Sequence, residues 1–122
     1  MAWAELLYAS HTALEIVLGG IKLRGRYAHE TPGSKAPRSQ MYTRHHGFSL
    51  LALALLGGLV LWRDLVNTEF GFITSVVQAV FHGGACVAFT YAYLENAIPF
   101  VKIIVPHAPF AAAFVVHAFS IA

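Results

Sequence analysis

Four histidines stand where few ionisable groups are found, inside or at the edge of long apolar runs: His11, His82, His107 and His117. Glu15 follows His11 by four residues, and Gln78 precedes His82 by four. Side chains at i and i+4 share one helix face, so a carboxyl and an imidazole are neighbours in the first run. An imidazole beside a carboxyl can exchange a proton as acid or base, and a neutral imidazole can ligate haem iron or another metal. His45 and His46 stand at the edge of a further apolar run, and Cys86 lies within the third. A lone cysteine forms no internal disulfide, and here it reads as a small buried hydrophobe.

Several chemistries fit these residues. In the first, His11, Glu15, Gln78, His82 and His117 form a buried polar cluster that fixes helix register, each hydrogen bond contributing under about 2 kcal/mol. In the second, histidines on facing helices clamp a tetrapyrrole such as haem, for electron transfer or light harvesting. His11 with His82 is the pair best matched in depth, and His46 with His107 a looser one. Gly83 and Gly84 would let a flat ring approach the backbone. In the third, His11 and Glu15 with His82 opposite act as acid and base on a lipid-soluble substrate, or relay protons. In the fourth, His11, Glu15 and His82 ligate a metal, although the spacing follows no familiar metal signature. His11, His46, His82 and His117 recur at intervals of 35, 36 and 35 residues. That regularity reports span plus loop length. Successive helices run in opposite directions, so equal spacing does not give equal depth.

These groups are positioned by apolar segments. The chain of 122 residues is 57% hydrophobic and 11% charged, whereas soluble domains carry about 25% charge. Residues 70–94 hold no formal charge, and about 20 such residues cross a bilayer core. Further spans are read at 2–21, 46–62 and 101–122. The second is short and needs Arg44 and Arg63 to snorkel. The first has no basic leader before it, and Glu5 and Glu15 interrupt it, so it reads as a retained span rather than a cleaved signal. Residues 24–44, with two prolines and two glycines, read as an irregular loop. Pro106 and Pro109 predict a kinked or 3₁₀ entry to the last span. Small-residue pairs at four-residue spacing, Ala9/Ala13, Ala54/Gly58, Ala79/Gly83 and Ala108/Ala112, are candidate close-packing sites. Trp3, Tyr8, Trp62 and Phe70 would form one interfacial aromatic belt, and Tyr91, Tyr93 and Phe100 the other.

The expected fold is therefore a single all-α transmembrane domain, a four-helix up-down-up-down bundle. Residues 22–45 hold six basic side chains and one acid, Glu30, against Arg63 alone in the next connection. This places loops 22–45 and 95–102 on the cytoplasmic, matrix or stromal side and both termini outside. A formal charge of +2, clustered at segment ends, argues against nucleic acid as a partner. Walker, GxSxG, HExxH, CxxC and dinucleotide fingerprints are absent from the sequence. The expected partners are the bilayer and other membrane subunits or further copies of the chain. The leading expectation is a structural or accessory role in such an assembly, with haem carriage or proton-relay enzymology as alternatives.

Overall fold

A computed structural model describes residues 3–24, 37–95 and 107–122. Among them the only regular secondary structure is helical: α1 (Trp3–Leu23), α2 (Pro37–Trp62), α3 (Glu69–Leu94) and α4 (His107–Ile121). Continuous apolar runs without alternation favour this, because a helix satisfies its own backbone groups without water. Three helices are long and apolar enough to cross a membrane: α1, the Met41–Trp62 part of α2, and α3.

One boundary differs from the sequence reading. Helix α2 starts at Pro37, nine residues before the expected 46, so the end of the supposed irregular loop is helical. Pro37 opens that helix, where its missing N–H is one the first turn leaves unpaired in any case. Arg, Gln and Met, which follow, are good helix formers. Helix α4 is described from His107 to Ile121; residues 101–106 of the expected span, with Pro106, lie outside the described set. Pro109 sits in its first turn, where a proline leaves no intrahelical bond unmade.

The chain divides into two compact units, Met1–Leu61 and Trp62–Ala122. In the first, α1 and α2 form an antiparallel hairpin: Gly57 faces Tyr8 and Thr12, and Gly47 faces Gly19 and Lys22. The approach is close because glycine has no side chain. A Cβ at Gly57 would lie 2.5 Å from Thr12 Oγ1, and one at Gly47 would lie 3.0 Å from the Gly19 carbonyl oxygen. Of the small-residue pairs expected at four-residue spacing, Ala54/Gly58 lies on this side of α2: Ala54 is buried, and a Cβ at Gly58 would meet Thr12 Cγ2 at 3.9 Å. Ala13 and Ala112 are exposed, and a Cβ at Gly83 would meet nothing within 4 Å. An alanine-rich chain produces such pairs on every face, and spacing alone cannot say which face is covered.

The second unit opens with a tight turn. Asp64 takes the left-handed conformation, φ 55°, which a short polar side chain tolerates. Thr68 caps α3: its hydroxyl donates to the Leu65 carbonyl at 2.7 Å and accepts from Gly71 N at 3.4 Å. The Val66 carbonyl lies so close to Gly71 that a Cβ there would overlap it. Helix α4 then packs antiparallel along α3.

Of the aromatics expected in the two belts, Trp3, Trp62, Phe70, Tyr91 and Tyr93 are exposed, whereas Tyr8 is fully buried and Phe100 lies outside the described residues. Tyr8 lies on the face of α1 that carries Ala4, Leu7, His11, Glu15 and Gly19, and its ring uses the room that Gly57 leaves.

Candidate functional site

The interior is unusually polar. His11, His82, His117, Gln78 and Glu15 rank with Tyr8 and Phe114 among the largest fully buried side chains. Each hairpin contributes its own set.

In the first hairpin, His11 Nε2 lies 3.2 Å from Glu15 Oε1, with side chains 0% and 2% exposed. Helix geometry alone brings them together, one turn apart on the buried stripe of α1. The pair can exist as imidazolium with carboxylate or as imidazole with carboxylic acid. A proton passed between Oε1 and Nε2 would leave the net charge of the pair unchanged. At one end of this hairpin the Lys22 ammonium donates to His46 Nδ1 at 3.1 Å.

In the second hairpin, Gly71, Thr74, Ser75, Gln78 and His82 form the buried stripe of α3. Ser75 Oγ lies 2.7 Å from His117 Nδ1. Seven residues along the same stripe, His82 Nδ1 lies 3.0 Å from His107 Nδ1. When both rings are neutral, one must carry its hydrogen on Nδ1 and donate, and the other must accept there, so the two are opposite tautomers. Aromatic rings hold this arrangement. Phe110 stacks on His82 at 5.5 Å and 27°, Phe81 meets it edge-on at 5.3 Å, and Phe89 lies 5.1 Å from His107.

The sequence candidates are shared between the two hairpins. His11 and Glu15 are paired in the first unit. Gln78, His82 and His117 are buried in the second, and His107 bonds His82 at the start of α4. His46 bonds Lys22. Cys86 is half-buried and forms no disulfide. Sequence reasoning misses Ser75 and Lys22 as partners. Ser75 is within its reach, because it stands three residues before Gln78 and seven before His82 on one helical stripe. Lys22 is not, because its partner lies 24 residues away on another helix.

Depth counted from segment centres puts His82 near the middle and His107 well inward. Their contact shows that α4 begins beside the middle of α3 and runs back along its first half, with Ile121 and Ala122 beside Glu69 and Phe72. No protein-family model matches the chain, and neither a curated protein nor a solved structure resembles it significantly.

Proposed function

We propose that this chain is a small integral membrane protein, crossing the bilayer four times in up-down-up-down order, and that its function is to take up and pass on protons within the membrane. The observation that carries this reading is the His11–Glu15 contact, 3.2 Å long and buried within a helix apolar enough to span. An ionisable group at bilayer depth costs at least about 2.5–3.5 kcal/mol, so such groups are retained chiefly where they work. A structural core would be more cheaply filled with leucine. The His82–His107 contact supports the same reading, because exchanging the two tautomers transfers a proton.

The test is infrared titration of the reconstituted protein. Protonated Glu15 gives a carboxylic C=O band that Glu15→Gln removes, and His11→Asn shifts the pH at which it titrates. Vesicles with an internal pH dye should show faster proton equilibration with wild type than with Glu15→Gln. If the variants fold, show no such band difference and equilibrate protons as wild type does, the proposal fails. The accessory-subunit reading makes the opposite forecast: both substitutions lower folded yield and complex assembly, and leave proton movement at the lipid background.

Haem or another tetrapyrrole is the remaining alternative, and a Soret band from the purified protein would favour it.

A further inference from the structure

We propose that the basic end of the first hairpin is a seat for an anionic phospholipid headgroup. Lys22 closes α1 and His46 lies on α2, and Gly47 lets the two helices come close enough there for the Lys22 ammonium to reach His46 Nδ1 at 3.1 Å. The contact fixes a flexible cation between two helices, and an ammonium bound to one imidazole can still donate to a further acceptor. Arg24 follows Lys22 by two residues, and Arg44 precedes His46 by two, so both stand just beyond this bridge, and both are exposed together with His45. Glu30 is the only acid between residues 22 and 45, and neither Arg24 nor Arg44 has an ion pair among the described residues.

A phosphodiester suits this group of donors: guanidinium binds it in bidentate fashion and ammonium as a point charge. The position selects a lipid over a soluble anion. The candidate span of α2 begins at Met41, and Met41, Tyr42 and Phe48 are 57%, 63% and 65% exposed around the cations. Apolar and aromatic side chains at that height rest against acyl chains and headgroups. Topological charge would need only loosely placed lysines and arginines, not a bridge between two helices.

The experiment uses the full chain in detergent, with spin-labelled phosphatidylglycerol and phosphatidylcholine as probes. The expected result is a preference for phosphatidylglycerol of roughly a hundred-fold, the product of about five-fold from each of three basic side chains. Lys22→Gln, Arg24→Gln and Arg44→Gln should each reduce it by on the order of five-fold, the worth of one basic side chain near an anionic surface. Arg63→Gln, at the far end of α2 where Arg63 lies 5.8 Å from the Trp62 ring centre, should leave it unchanged. Equal binding of the two lipids overturns the proposal, and so does a preference that survives all three substitutions. Displacement of phosphatidylglycerol by millimolar inorganic phosphate would assign the seat to a soluble anion and also overturn it. Circular dichroism checks the fold. If the Lys22 variant does not fold, the exposed Arg24 and Arg44 variants still decide the outcome.

Discussion

Ser75 shows what a single hydroxyl contributes in this interior. Its bond to His117 Nδ1, 2.7 Å long and fully buried, joins two helices 42 residues apart in sequence. Interhelical hydrogen bonds in lipid average about 0.6 kcal/mol and reach about 1.7. Ser75→Ala should therefore lower stability by about 1 kcal/mol in reversible unfolding from mixed micelles. It should also shift the His117 ring nitrogen resonances, and those of His107 should stay in place. His82→Ala has two consequences, because it removes a donor or acceptor from His107 and the ring that Phe110 stacks on. The expected loss is about 2–4 kcal/mol, more than for Ser75→Ala, as is usual when a buried polar partner and packed volume are lost together.

Between elements, the decisive contact is where α1 meets α2 at Gly57. An added Cβ would stand 2.5 Å from Thr12 Oγ1, and that hydroxyl is buried without a hydrogen-bond partner among the described residues. Overpacking of this kind costs about 1–3 kcal/mol, so Gly57→Ala should destabilise the first hairpin by that amount. Thr12→Ala removes the obstructing oxygen and gives up no hydrogen bond there. The double variant should recover most of the loss, which a double-mutant unfolding cycle measures directly. Gly83→Ala is the contrasting case. A Cβ there meets nothing within 4 Å, so the substitution should be neutral or gain up to about 1 kcal/mol from backbone entropy. Gly71→Ala should be the most damaging of the three, since rigid backbone oxygens of Val66 and Leu65 occupy the space. Side chains can turn aside, but the carbonyls of a capped turn cannot.

For the molecule as a whole, the charge pattern makes a forecast about orientation. Cys86 is the only cysteine, so Cys86→Ser gives a background for single introduced thiols. With loop 22–45 on the cytoplasmic side, Ser34→Cys should be blocked by an impermeant maleimide only after the membrane is opened. Asn67→Cys, in the connection that carries Arg63, should react in intact cells. Labelling of both from the same side would refute the alternating topology. Trp3, Trp62, Tyr91 and Tyr93 are exposed, so each can act as an interfacial anchor in that topology.

Much of this architecture is legible in the amino-acid order. Helix α3 begins within one residue of the expected 70 and ends at the expected 94, because a long run without charge leaves the backbone no other way to satisfy its polar groups. His11 and Glu15 pair as their four-residue spacing requires, since that contact is local to one helix. The beginning of α2 is hidden: Pro37 and the polar residues after it read as loop, though nothing in them prevents a helix. The inward turn of Tyr8 is hidden too, because it depends on a glycine 49 residues further on. The partners of His46, His107 and His117 are set by tertiary structure alone. Each bond joins residues on different helices, and its register follows from where α4 starts and where α1 can touch α2. Composition and local spacing thus determined the all-helical class of the chain, which helices are apolar enough to cross a membrane, and the pairs within a helix. Only the packed chain decided which histidine meets which partner, because that choice rests on close approach between surfaces that no single segment encodes.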